Sequence, residues 1–129
     1  MNSDHEIRVM LLDRGQYVGQ WLGRLLGRTP GFSYLGHCDG GRCLESRALR
    51  TRPDVVLMDL QTARALPGGA MGRLRQSLPG AMFVLMDLDD GGNYERLARR
   101  LGADGFISSA NMPQALEKIR RRLLYQRRV

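Results

Sequence analysis

Short apolar runs alternate along this chain with longer stretches in which apolar residues recur every three or four positions. The predicted strands at 7–12, 53–60 and 81–86 contain the unbroken apolar runs 9–12, 55–58 and 81–86, which are typical of buried strands of a parallel sheet that contact protein on both faces. A weaker run at 32–38 and a short one at 104–107 predict two further strands. The chain therefore contains five predicted strands.

The stretches between the strands have the periodicity of amphipathic helices. Their apolar faces consist of Val18, Leu22, Leu25 and Leu26 in the first helix, Tyr94, Leu97, Ala98 and Leu101 in the fourth, and Met112, Ala115, Leu116, Ile119 and Leu123 in the last. A second helix is predicted from Gly40 to about Arg50, and a short third one around 71–74. Residues 61–69 are predicted to be a long connection without a helix.

A strand followed by a helix five times predicts an α/β fold of the (βα)5 type. Such alternation favours a doubly wound parallel sheet with helices on both faces and the flavodoxin-like strand order 2-1-3-4-5. We expect one domain over residues 1–124, with 125–129 as a basic tail or the start of a linker.

Length and composition exclude several classes of protein. The 129 residues are enough for one domain with an ordinary core. We expect a cytoplasmic protein with no membrane partner, because no apolar stretch approaches the length of a membrane span and the N-terminus lacks the run of a signal peptide. Cys38 and Cys43 have no neighbouring histidine or further cysteine, so we expect a reduced pair and no metal site.

The net charge of +7 favours acidic partners. Of the 20 basic residues only Lys118 is a lysine, and so skewed a ratio is also what genomic base composition can produce. Basic balance alone is a weak sign of nucleic-acid binding, which we do not expect of this domain by itself. We expect no enzyme, because the chain has no Gly-rich phosphate loop and no nucleophile elbow.

One carboxylate has a special place in the predicted sheet. Asp59 ends the third strand, and ligands of open α/β sheets collect at the carboxyl ends of the strands. A carboxylate there is either a reactive group or a charged cap on a strand end. Its neighbours at the same edge decide between the two roles.

Four segments in this order resemble the receiver domain of two-component response regulators: 7–13, 52–60, 78–81 and 102–106. The resemblance covers nearly the whole chain. It implies that Asp59 matches the phospho-acceptor, which in that family receives a phosphoryl group from a histidine kinase. It also implies that Asp13 matches the first acidic position of the Mg²⁺ pocket and Phe106 the aromatic switch position.

Three other positions depart from the family pattern. Arg14 replaces the second acidic residue, Asp87 the Ser or Thr after strand four, and Ser109 the Lys after strand five. Arg14 can pair with Asp59 or Asp13, and Asp87 would repel a phosphoryl group unless its side chain points into solvent with the rest of an acidic loop. No resident cofactor is expected; Mg²⁺, if held by Asp13, Asp59 and Gln61, would bind weakly.

We therefore expect an atypical, phosphorylation-independent receiver for signal transduction. It would act on a protein partner, or as a homodimer, through the face of helix 4, strand 5 and helix 5. That face would comprise Tyr94, Phe106, Ala110, Met112, Gln114 and Lys118. The alternative is a conventional phospho-accepting receiver in a phosphorelay, belonging to a transcriptional regulator whose DNA-binding domain lies outside this chain.

Overall fold

The computed structural model describes residues 6–13, 17–38, 46–47, 49–66, 68–87, 94–108 and 111–128. The strands are β1 (Ile7–Leu12), β2 (Phe32–Cys38), β3 (Val55–Asp59), β4 (Met82–Asp87) and β5 (Gly105–Ser108). The helices are α1 (Tyr17–Arg28), α2 (Leu60–Arg64), α3 (Ala70–Ser77), α4 (Tyr94–Arg100) and α5 (Met112–Arg128). Residues 46–47 and 49–51 are also helical.

All four strand pairs are parallel, and the sheet order is β2-β1-β3-β4-β5. This confirms the predicted (βα)5 topology. In register, Leu12 of β1 lies beside Met58 of β3, and Asp59 lies beside Met86 of β4. The carboxyl ends of the three central strands therefore meet at one edge of the sheet.

The core consists of two clusters, one on each face of the sheet. Ile7, Val9 and Leu11 of β1 point into the first, while Met10 and Leu12 point into the second, as the alternation of a strand requires. Helices α1 and α5 pack on the first face and α2, α3 and α4 on the second. Helices on both faces are thus confirmed. None of the described helices is both long and apolar enough to cross a bilayer.

The connection predicted over 61–69 is wrong at its start, because Leu60–Arg64 form a helix directly after β3. Leu60 and Ala63 are buried in the second core cluster. This burial, together with a side-chain cap from Asp59, stabilises a helix that is too short to be recognised from apolar periodicity alone. Helix α3 is also longer than the predicted 71–74.

Two aspartates tie the strands together at the amino edge of the sheet. Asp54, just before β3, accepts a hydrogen bond from the Arg8 N–H at 2.9 Å and donates its own N–H to the Arg8 carbonyl at 2.8 Å. Asp104, just before β5, makes the same pair of bonds with Phe83, at 2.9 and 2.6 Å. Both motif aspartates are therefore structural.

Strand β2, at one end of the sheet, contains a bulge. Val9 pairs with Tyr34 but Leu11 pairs with His37, so β2 has one extra residue, and Gly36 there has a φ of 109°. The Arg47 guanidinium donates to the carbonyls of Leu35 at 3.1 Å and His37 at 2.6 Å. Arg47 thereby covers the outer edge of β2.

The C-terminal helix continues past the predicted domain boundary. Helix α5 ends at Arg128, and its buried face comprises Met112, Leu116, Ile119 and Leu123 as predicted. Residues 125–128 are therefore helical, and Tyr125 among them is 71% exposed. A boundary at 124 stays a prediction.

Candidate functional site

Three carboxylates arrive at the carboxyl edge of the sheet. Asp13 follows β1, Asp59 is the last residue of β3 and Asp87 is the last residue of β4. Because these strands are neighbours in register, the structure brings the three positions to one edge, as the sequence predicted. Only the backbone of Asp87 lies within the described part of the chain.

The Asp59 carboxylate is turned toward the start of α2. Its Oδ2 accepts a hydrogen bond from the Thr62 N–H at 3.3 Å and from the Thr62 hydroxyl at 3.4 Å. The Asp59 backbone is extended, with φ −62° and ψ 141°, which is the usual conformation of an N-cap residue. Asp59 is half-buried and acts as the N-cap of α2.

Asp13 lies deeper than Asp59, with only 3% of its surface exposed. Its N–H donates to the Cys38 carbonyl at 2.9 Å, which fixes the end of β1 against the end of β2. Burial raises the pKa of the Tyr34 hydroxyl, and the negative charge of Asp13 raises it further. The positive charge of Arg47 acts in the opposite direction on the same pKa.

Tyr34 lies across α1, where two glycines make room for its ring. A Cβ placed on Gly23 would come within 3.0 Å of the Tyr34 Cδ2, and one on Gly19 within 3.3 Å of its hydroxyl oxygen. That oxygen is buried and has no hydrogen-bond partner among the described residues. Tyr34 thus joins α1 to the strand beside the Asp13 position.

The weak Mg²⁺ site predicted at Asp13, Asp59 and Gln61 stays a prediction. The Gln61 side chain is exposed. The backbone carbonyl of Gln61 accepts a hydrogen bond from the Ala65 N–H at 3.1 Å, within the turn that ends α2. Among the residues that the structure describes, no three His, Cys, Asp or Glu side chains cluster closely enough to hold a metal ion. Arg14 and Ser109 lie outside the described residues, so the pairing of Arg14 with Asp59 or Asp13 stays a prediction.

The predicted partner face divides into exposed and buried members. Phe106 is partly buried against the second core cluster, and Gln114 and Lys118 are exposed. Met112 is only 3% exposed and belongs to the first core cluster, so its inclusion in a surface was wrong. Its spacing with Leu116 and Ile119 places it on the inner side of α5. Ala110 and the side chain of Tyr94 lie outside the described part.

Thr62, Tyr34 and Arg47 take part in the site although the sequence did not predict them. Aspartate is one of the residue types that favour the N-cap position, and the Thr62 N–H and hydroxyl three residues later both donate to Asp59. No comparable local signal exists for Tyr34 and Arg47, because their contacts are made with residues of other elements.

No protein-family model matches the chain. The chain is similar to the transcriptional regulatory protein YxjL of Bacillus subtilis, with 28% identity over 116 residues that cover 90% of the chain and 53% of that protein. It spans between 32% and 53% of the length of the first three curated relatives it matches.

Solved structures are similar as well. A two-component response regulator of the LuxR family from Aurantimonas sp. SI85-9A1 matches with a TM-score of 0.70 and 27% identity, over 90% of this chain and 86% of that one. A chain from the complex of the CheA3 P1 domain with CheY6 of R. sphaeroides matches with a TM-score of 0.68 and 19% identity, over 92% and 96%. By its fold and its sequence, this chain is similar to the receiver domains of two-component response regulators.

Proposed function

We propose that this receiver is atypical and works without phosphorylation of Asp59. The observation that carries the proposal is the hydrogen bonding of Asp59, whose carboxylate is used by Thr62 to begin α2. The sequence adds Arg14, Asp87 and Ser109 at the positions where the family has an acid, a hydroxyl and a lysine. A phosphoryl group on Asp59 would have neither the hydroxyl nor the lysine to stabilise it, and its transfer to Oδ2 would remove the helix cap.

The same proposal holds that no Mg²⁺ is resident at this edge. Mg²⁺ requires oxygen ligands in near-octahedral geometry. Of the predicted donors, the Gln61 carbonyl is used inside α2 and the Asp59 Oδ2 is used by Thr62. This donor set fits the ion poorly, and the positive charge of Arg14 would compete with it.

A phosphorylation assay with a restored variant tests this proposal. The protein is incubated with Mg²⁺ and a small phosphodonor, and its intact mass is measured before and after hydroxylamine treatment. We expect no hydroxylamine-labile adduct on the wild type. We expect one on a triple variant with Arg14→Asp, Asp87→Thr and Ser109→Lys, in which the family pattern is complete. An adduct on wild-type Asp59 that is absent from Asp59→Asn would overturn the proposal.

We further propose that the output is a protein contact on the face formed by α4, β5 and α5. Support comes from Phe106 and Lys118, which line one cavity beside β5. A constitutive contact at this face needs no chemical step at Asp59. Its partner would recognise the surface of the folded domain as it stands.

One observation favours the second candidate, a conventional receiver in a transcriptional regulator. The relative from Bacillus subtilis is a transcriptional regulatory protein, and the chain covers about half of it, or 53%. A DNA-binding domain outside this chain, and a histidine kinase as phosphodonor, would then complete the pathway. A stoichiometric adduct in the phosphorylation assay, together with a longer native reading frame, is the result that this candidate predicts.

A further inference from the structure

The two edge strands of the sheet, β2 and β5, differ in whether a side chain is bonded along the outer edge. At β2 the Arg47 guanidinium bonds to two carbonyls of the bulged strand and so covers that edge. At the opposite end, β5 pairs with β4, and no further strand of the described chain lies beyond it. Exposed strand edges are ordinarily covered or charged in proteins, so the edge at β5 calls for an explanation.

Cavities lie on both sides of β5 and share Asp104, Gly105 and Phe106. The one toward α5 has a volume of about 340 Å³, and the apolar side chains of Val84, Ala115 and Ile119 are among those that line it. The one toward α4 has a volume of about 140 Å³. The larger of the two has space for an apolar side chain.

The rims of both cavities carry positive charge. Lys118 and Arg122 line the larger cavity and Arg99 lines the smaller one, and all three are exposed. Arg96 and Arg100 of α4 are exposed as well. We call Arg99, Lys118 and Arg122 with the edge of β5 the basic groove.

The acidic residues near the groove are few, and those described are already engaged. Asp104 pairs with Arg75 at 3.3 Å. Glu117 pairs with Arg120 at 3.6 Å and with Arg121 at 3.2 Å. The remaining acid on α4 is Glu95, whose side chain lies outside the described part of the chain. The three exposed cations of the groove therefore leave it positive, and Arg96 and Arg100 add positive charge to the exposed surface of α4.

We propose that the basic groove binds an acidic segment of a partner protein, with an apolar side chain of that segment in the larger cavity. A second copy of this chain is a poor occupant, because a twofold interface would place the basic grooves of the two copies against each other, and their like charges would repel. The inference deepens the proposed function and rests on its claim that output is a protein contact at this face.

Fluorescence anisotropy with defined probes tests the inference on the unphosphorylated chain, without Mg²⁺. The probes are a labelled peptide of repeated Glu-Leu-Asp units, a peptide of repeated Gln-Leu-Asn units and a labelled DNA duplex. The test variant is Lys118→Glu with Arg122→Glu. The control is Arg24→Glu with Arg28→Glu, which makes the same change of charge at exposed positions of α1. Circular dichroism verifies that both variants fold.

We expect saturable binding of the acidic peptide to the wild type and weaker binding of the neutral one. The groove variant should lose affinity by about tenfold, and the control by less than about twofold. Equal losses of affinity in both variants would show that binding depends on the overall charge and not on the groove, and would overturn the inference. So would tighter binding of DNA than of peptide with the same dependence on Lys118 and Arg122, or an absence of peptide binding at low salt. Phosphorylation of Asp59 would overturn the proposed mechanism and leave this peptide result unchanged, so the two failures are distinguishable.

Discussion

At the scale of single residues, Asp59 shows how one carboxylate can have two competing uses. A side-chain oxygen at an N-cap satisfies an N–H that the helix itself leaves unbonded, which stabilises a helix by about 0.5–2 kcal/mol. Thr62 supplies that N–H here, and its hydroxyl adds a second donor. An acceptor carboxylate must instead present its oxygens to an incoming phosphoryl group. Capping of α2 therefore competes with phosphoryl transfer for the same carboxylate.

Replacing Asp59 by Ala and by Asn separates the cap from the charge. Both changes remove the negative charge beside Asp13, but asparagine remains a good N-cap and alanine does not. We expect Asp59→Ala to have a free energy of unfolding about 1 kcal/mol lower than Asp59→Asn, measured by urea denaturation. Equal stabilities of the two variants would show that the carboxylate is not a cap in solution.

Tyr34 offers a test of the buried hydroxyl. Since its oxygen has no partner among the described residues, Tyr34→Phe removes a desolvated polar group and should raise the free energy of unfolding by about 1 kcal/mol at neutral pH. A raised pKa in the folded state means that the unfolded chain loses this proton first. Stability therefore falls as the pH rises from about 10 through the folded-state pKa.

Urea midpoints followed from neutral to alkaline pH measure this linkage. Tyr34→Phe should decline less above a pH of about 10 than the wild type. Tyr125→Phe, at a residue that is 71% exposed, serves as the control and should decline as the wild type does. If Tyr34→Phe and the wild type declined equally at alkaline pH, the pKa of the Tyr34 hydroxyl would not be raised by folding.

At the scale of elements, α1 packs closely against β2 because Gly19 and Gly23 have no side chains to keep the Tyr34 ring away. Gly23 faces the Tyr34 ring, where a Cβ would lie 3.0 and 3.1 Å from two ring carbons. Gly27, one turn later in the same helix, has no atom within 4 Å of the Cβ position. Replacing these two glycines should therefore have opposite effects on stability.

Alanine at each position gives a matched pair of variants. Gly27→Ala should stabilise the protein by about 0.5–1 kcal/mol, because alanine favours the helix and meets no neighbour. Gly23→Ala gains the same propensity but should destabilise by about 1–3 kcal/mol through overpacking against Tyr34. Thermal unfolding of the two proteins decides the matter, and a Gly23→Ala variant as stable as Gly27→Ala would refute the close contact.

The long helices follow from sequence because their apolar periods extend over many residues, and the strand order follows from the alternation of strands and helices. Five-residue α2 does not, because its formation depends on the Asp59 cap and on burial of Leu60 and Ala63, which only the folded chain provides. The carboxylate edge could be predicted from Asp13 and Asp59. The direction of the Asp59 side chain could not be predicted, since it depends on whether the carboxylate caps α2 or faces the predicted Mg²⁺ pocket beside Asp13.

The β2 bulge has the same kind of cause. Gly36 allows a positive φ, but what fixes the extra residue is Arg47, which is distant in sequence and bonds to the Leu35 and His37 carbonyls. After the bulge, Cys38 is buried in the second core cluster rather than the first, which contains Phe32. A strict alternation along β2 would place both residues on one face.

At the scale of the whole molecule, the net charge of +7 is an internal repulsion. Raising the salt concentration shortens the Debye length from about 30 Å at 0.01 M to about 8 Å at 0.15 M. We expect the melting temperature to rise by about 3 °C over that range. The variant with Arg24→Glu and Arg28→Glu lowers the net charge from +7 to +3, because each replacement removes one positive charge and adds one negative charge. Calorimetry should find a smaller rise in that variant, and an equal rise would attribute the effect to something other than charge.

The unequal edges of the sheet also limit how these molecules can join. A chain of sheets stacked edge to edge grows only if every unit offers two open edges, and here Arg47 occupies one of them. An extension of the sheet is therefore easier beside β5 than beside β2, where the Leu35 and His37 carbonyls already accept hydrogen bonds from Arg47.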